Sequence, residues 1–255
     1  MEKATYPHNF SRLEPFLPYS EQAAPIFMYH KVGPMPGGVK HRAIYLSKKW
    51  FTRQMRELHE AKFVVLPLSD WRKFGEQRRQ TVLTFDDGSR TVLEHGAAEM
   101  AKYGFRGIQY LVADQIGGYN EWDVKQGEVR DALMTEGEVR EWLAMGHEIG
   151  SHTVTHPRLA KISKEKAREE IFASKARLED RFGVPIKHFC YPYGSWNKAV
   201  RDFVEEAGYE TATTTDPGLA ANVTDPFALP RIGARYPKRN VRTVLRAIAD
   251  FVQGK

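Results

Sequence analysis

Short apolar runs alternate with longer amphipathic stretches along this chain. The runs fall at residues 26–29, 63–66, 81–85, 107–112, 148–150, 188–191, 210–214 and 229–232. Several are rich in β-branched or aromatic residues, as buried strands are. Between them the apolar period lengthens to that of helices. Phe51, Met55 and Leu58 recur at i, i+4 and i+7 behind Ser47, and residues 92–103 form a second such stretch. Thr135 and Glu138 predict a capping box, with Trp142 and Leu143 on the apolar side of the helix it opens. Ala167, Ile171, Leu178 and Phe182 mark a fourth helix, ended by Gly183. Residues 196–207 mark a fifth, followed by Gly208, and 241–251 predict a last one.

This alternation predicts an α/β fold with a mainly parallel sheet. Eight strand candidates over roughly 230 residues favour a closed (β/α) barrel of about seven or eight strands in a single domain. Residues 1–24, with Pro7, Pro15 and Pro18, predict an irregular lead-in before a domain spanning 25–255. The stretch 114–134 contains Gly117, Gly118 and the run Asn120-Glu121-Trp122-Asp123. A loop that long in a compact domain is usually a lid or a binding loop.

Composition narrows the picture. A domain of 255 residues buries enough surface to stand without disulfide or structural metal, so any metal site needs a functional reason. Cys190 is the single cysteine. The net charge of +6 is scattered, and the densest basic patches (161–168 and 235–242) alternate with acids or apolar residues. That excludes a nucleic-acid stripe and leaves an anionic glycan compatible. Residues 1–20 lack the apolar core of a signal peptide, and no stretch approaches a transmembrane span. Compartment and oligomeric state stay open.

Three constellations carry chemistry. Asp86 and Asp87 follow an apolar run and precede Gly88, at a strand end, where barrel enzymes gather catalytic groups. Adjacent strand residues point to opposite sides, but at a strand end they can diverge, one toward a metal and the other toward substrate. His152 and His156 sit at i, i+4 after another run, a spacing that on one helical turn puts both imidazoles on one face. Two His and one Asp supply three ligands, the number that leaves a tetrahedral catalytic zinc one open position. Cobalt and nickel accept the same donors. Non-haem iron oxygenases also use two His and one carboxylate, yet have no need of a neighbouring carboxylate base, which favours hydrolysis here. The third constellation, Tyr191-Pro192-Tyr193-Gly194, predicts a sharp turn able to aim a backbone N–H into a site. His30, after the first run, is a candidate acid, and Trp122 either stacks on a sugar ring or packs beneath its loop.

Taken together, Thr84–Gly88, Ser151–His156 and Tyr191–Gly194 resemble the polysaccharide deacetylase family, carbohydrate esterase family four. The resemblance runs from about Pro25 to about Tyr236. It implies a distorted (β/α) barrel that removes acetyl groups from chitin, peptidoglycan or related N-acetylated sugars, with 25–255 as the catalytic domain. It also implies Asp86 as general base, Asp87, His152 and His156 as metal ligands, and the Tyr193 N–H in an oxyanion hole, with His147 structural. Two positions depart from the family pattern. Cys190 stands where an Arg is usual, and no His follows His188 to supply the late acid. Met28-Tyr29-His30-Lys31-Val32 resembles the opening of the circularly permuted poly-N-acetylglucosamine deacetylase branch, which implies His30 as the acid. Leu229-Pro230-Arg231-Ile232 resembles the same branch, and Arg231 is then placed to replace the missing Arg and hold Asp86 ionised. The alternatives are a hydrolase of small amides such as cyclic ureides, and a silent glycan-binding module.

Overall fold

The computed structural model describes residues 9–20, 23–221 and 224–235. The helix expected at 241–251 lies outside the described residues. Seven parallel strands close a barrel: β2 (Ile26–Tyr29), β6 (Gln80–Phe85), β7 (Ile108–Leu111), β8 (Glu148–Ser151), β9 (His188–Cys190), β10 (Thr211–Pro217) and β11 (Leu229–Ala234). The pairing of β11 with β2 completes the ring, through Ile232 opposite Phe27 and Gly233 opposite Met28. Each barrel strand matches one of the expected apolar runs. The strands are buried on both faces, which explains runs of apolar residues in place of strict alternation.

The remaining run, at 63–66, forms β5 (Val64–Val65) and stays off the ring. It pairs with the first two residues of β6, while β7 takes the same edge further along, at Thr84 and Phe85. The lead-in is not irregular throughout. Its β1 (Asn9–Phe10) pairs with the end of β11, and a 3₁₀ turn follows at Glu14–Tyr19. Phe10 stacks on Phe27 at 3.9 Å between ring centroids, and Phe16 meets both edge-on. A two-residue strand has no periodicity for a sequence reading to detect, so tertiary packing decides this segment. Two more short strands, β3 (Lys31–Val32) and β4 (Tyr45–Leu46), pair beside the barrel mouth.

Helices cover the outside. The first, α1 (Lys48–Glu60), buries Phe51, Met55 and Leu58, the stripe expected of it. The second, α2 (residues 90–101), contains a π turn at Leu93–Ala97. The 114–134 stretch holds a one-turn helix, α3 (Glu121–Val124), and is fastened by short bridges from Tyr119 to Ala132 and from Ser89 to Leu133. Next comes α4 (Glu136–Ala144), opened by a full capping box on Thr135 and Glu138. The longest helix, α5 (Lys164–Phe182), ends at Gly183 in the left-handed region, and α6 (Lys198–Glu206) starts from an Asn197 cap. Trp71 and Trp142 are packing residues, 7% and 0% exposed. Among the described residues, no helix is long and apolar enough to cross a membrane.

Candidate active site

The candidate residues other than Arg231 gather on the carboxyl-end side of the barrel, around a cavity of about 500 Å³. His30 follows β2, Asp86 and Asp87 follow β6, His152 follows β8, and Tyr193 lies just beyond β9. Arg231 points into the barrel from β11 and is 1% exposed.

The two aspartates share one side of the strand end because the backbone breaks its alternation there. Asp86 N–H still donates to Tyr29 O at 2.9 Å, continuing the sheet. Asp87 then turns to φ 76°, and Gly88 follows at φ 78°. Asp is one of the few residues that tolerate this region, and glycine has no Cβ to oppose it. The turn is held from β7, where the Gln109 amide oxygen accepts from the N–H groups of Gly88 and Ser89 at 3.0 Å each.

The histidine pair is brought together differently from expectation. Residues 152–156 are not helical. Thr153 (φ 69°) and His156 (φ 64°) are both left-handed, and the His156 N–H donates to Thr153 Oγ1. A tight loop, not a helical turn, folds His156 back onto His152. Glu170 of α5, 2% exposed, fixes this loop by accepting from Val154 N–H at 2.8 Å, Thr155 N–H at 2.9 Å and Thr155 Oγ1 at 2.6 Å. Sequence reasoning missed Glu170. Its signal is a charged residue beside the apolar stripe of Ala167, Ile171, Leu178 and Phe182, all buried. A Glu170→Ala variant is expected to bind a divalent cation such as zinc roughly 10- to 100-fold more weakly, because the loop that presents His156 loses its anchor. Zinc titration of the folded variant checks this; unchanged affinity would show that the loop holds itself.

Asp87 Oδ1 lies 3.5 Å from His152 Nε2 and 3.4 Å from His156 Nε2, and the two Nε2 atoms are 3.2 Å apart. A tetrahedral ion held at zinc distances spaces its ligand atoms about 3.3–3.5 Å apart. The trio therefore fits a single divalent cation. His152 Nδ1 donates to Cys190 O at 2.8 Å, which leaves its Nε2 lone pair facing the cluster. His156 Nδ1 has no hydrogen-bond partner among the described residues. Its ring is instead clamped by Trp122, stacked at 4.4 Å and 25°, and by Tyr193, edge-on at 4.6 Å. Trp122 thus packs on a candidate ligand and also lines the cavity.

Electrostatics separates the two carboxyls from ordinary ones. Burial alone would raise both. The Arg231 charge and hydrogen bonds, helped by His30 and His152, hold Asp86 below the usual carboxylate value. Hydrogen bonds from His152 and His156 hold Asp87 well below it. The two imidazoles compete for one proton. Against burial, the Cys190 side chain and Asp87 raise His152, while burial and the neighbouring His152 charge outweigh Asp87 and push His156 down to about 4.

Arg231 forks onto Asp86, with Nη1 to Oδ1 and Nη2 to Oδ2 both at 2.7 Å. Its Nη2 also donates to Cys190 Sγ at 3.1 Å, so the small side chain at 190 leaves room for a guanidinium arriving from β11. His30 Nε2 lies 3.8 Å from Asp86 Oδ2, on the cavity wall. Tyr193 has φ 58° within the Pro192–Gly194 turn. His147 packs on Trp142 and accepts from Gly107 N–H, away from the cluster.

A family model described as polysaccharide deacetylase matches residues 75–212. The chain belongs to the polysaccharide deacetylase family. The matched span holds Asp86, Asp87, His152, His156 and Tyr193, while His30 and Arg231 lie outside it. The chain is 24% identical over 213 residues to YxkH of Bacillus subtilis, whose name places it among polysaccharide deacetylases, covering 82% of this chain and 70% of YxkH. Its fold is like that of a polysaccharide deacetylase from Bacillus cereus, BC0361 (TM-score 0.72, 24% identity, 89% of this chain and 69% of that one). It is also like that of the Streptococcus pyogenes deacetylase PplD, solved with acetate (TM-score 0.73, 21% identity, 88% and 97%). As a member of this deacetylase family, the chain has the distorted, closed parallel barrel that its strand-end motifs imply.

Proposed function

We propose that this polysaccharide deacetylase hydrolyses the N-acetyl group of an amino-sugar polymer or oligomer, releasing acetate and a free amine. The observation that carries the reading is the convergence of Asp86, Asp87, His152 and His156 at one cavity, with His30 beside them. Asp87, His152 and His156 would hold a divalent cation, by default zinc, with cobalt or nickel equally acceptable to this donor set. When bound, such an ion polarises the amide carbonyl and makes water easier to deprotonate.

The chain's own groups supply the rest. Asp86, kept ionised by Arg231, accepts the proton of the attacking water. The backbone N–H of Tyr193 donates to the oxyanion that develops on the carbonyl. An amine leaves poorly unless protonated, and His30 donates that proton. Its place after the first barrel strand answers the lack of a late histidine, as the circularly permuted poly-N-acetylglucosamine branch implies. Trp122, on the cavity wall, offers a ring face for a sugar.

The test is a choice of substrate. The purified protein is expected to release acetate from N-acetylglucosamine oligomers and to leave cyclic ureides intact. Turnover of ureides with no acetate from any oligomer would favour the small-amide reading. Tight oligomer binding without turnover would favour a binding module.

A further inference from the structure

The mouth of the cavity carries cations with no ion-pair partner among the described residues. Lys40 and Arg42 line it from the segment before β4, and Arg158 lines it from the loop after His156. All three are exposed. Elsewhere on the surface, exposed cations are commonly paired, as in Arg130–Glu121, Arg168–Glu206 and Lys198–Asp202.

The placement of these cations is built into the backbone. Glu128, 6% exposed, accepts from Lys40 N–H at 3.0 and 3.1 Å and from His41 N–H at 2.7 Å. This ties the 40–42 segment to the 114–134 stretch, so its side chains stay at the mouth. Gly127 sits beneath Lys40 at φ +79°, and a Cβ there would lie 2.5 Å from the Lys40 Nζ. The Arg158 guanidinium lies 3.9 Å above the Tyr193 ring, which orients it while its N–H edge stays available. From the barrel interior beneath the cavity, Arg231 already matches the charge of Asp86, and Asp87 belongs to the trio that would hold a cation. Asp123 is the remaining carboxyl lining it. Lys40, Arg42 and Arg158 thus stand against Asp123 and, behind the 40–42 segment, the ionised Glu128, so the mouth keeps an excess of positive charge that draws an anion.

We infer that the mouth binds an anionic group, carboxylate or phosphate, carried by the glycan beside its acetamido group. This rests on the deacetylase reading and names the substrate class of the same cavity. Carboxylates and phosphates share the oxygen pattern that guanidinium and ammonium groups recognise.

The experiment measures kcat and KM for acetate release from three N-acetylglucosamine oligomers of equal length. One is neutral, one carries a 3-O-lactyl carboxylate, and one carries a 6-phosphate. At low salt, at least one anionic oligomer is expected to exceed the neutral one in kcat/KM by about tenfold, through KM, as one charge-assisted hydrogen bond would give. Which one wins identifies the source of the anion. The advantage is expected to shrink with salt, in a Lys40→Gln/Arg42→Gln double variant and in Arg158→Gln. It should persist in Lys198→Gln, whose cation lies on α6. Equal kcat/KM for all three oligomers, or an advantage that survives in both rim variants, would overturn the inference alone. No acetate from any of them would overturn the deacetylase reading and this inference with it.

Discussion

Replacing Arg231 with methionine is expected to lower the unfolding free energy by about 3–5 kcal/mol, because one partner of a buried ion pair is removed and the other stays. Arg231 places its three nitrogens on five acceptors: Asp86 Oδ1 and Oδ2, Thr84 Oγ1, Thr214 O and Cys190 Sγ. Methionine offers none of these donors, and Asp86 is 2% exposed. The pH dependence follows from the direction of the shift. In the native protein Asp86 is depressed, so the stability it contributes is present above its unfolded pKa and is lost as pH falls through the folded value. Without the guanidinium, burial is opposed only by the weaker pull of His30 and His152, and Asp86 rises. The acid limb of the rate profile then moves to higher pH, since the proposed base is protonated sooner. Urea unfolding at neutral pH and kcat/KM against pH measure the two effects. Arg231→Lys keeps the charge but not the fork, and it should hold the acid limb nearer to that of the native protein than methionine does. An acid limb unmoved in Arg231→Met would show that Arg231 does not set the charge of Asp86.

The second large effect is expected in Asp87→Asn. The side chain keeps its shape but loses the anion on which both Nε2 atoms converge. Zinc content should fall below one per chain, and acetate release should drop roughly 10³-fold, since a Lewis acid contributes several kcal/mol at the transition state. Asp86→Asn makes the contrast. It should keep its zinc and still lose about 10²- to 10⁴-fold in rate, the range for a positioned base. Metal analysis beside acetate release separates the two aspartates. A fully zinc-loaded, active Asp87→Asn would take Asp87 out of the ligand set.

Much of this arrangement is legible in the sequence, for identifiable reasons. The barrel strands are short apolar runs because both of their faces are covered, and their order along the chain follows the helices between them. Asp86, Asp87, His152 and Tyr193 stand at or just beyond strand ends, where a barrel collects its chemistry, and Arg231 was visible through the Leu-Pro-Arg run of β11. The path from His152 to His156 was not legible. Its two left-handed residues are neither glycine nor asparagine, and Val154 and Thr155 between them are held by Glu170 from a helix that begins eight residues later. Nothing local to the loop announces that partner. Likewise Asn9 and Phe10 carry no strand signal of their own and are drawn in by Phe27 and by the open edge of β11. The clamp of Trp122 and Tyr193 on His156 joins residues 71 positions apart in the chain, and only the folded loops bring them together.

Acetate release from an N-acetylglucosamine oligomer tests the central claim most directly, followed with the purified protein as isolated, after chelation and after zinc is returned. The native chain is predicted to release acetate, to stop on chelation and to recover with zinc, while Asp86→Ala stays silent throughout. Release that continues after complete metal removal, or that Asp86→Ala sustains at the native rate, would contradict a metal-dependent deacetylase with Asp86 as its base.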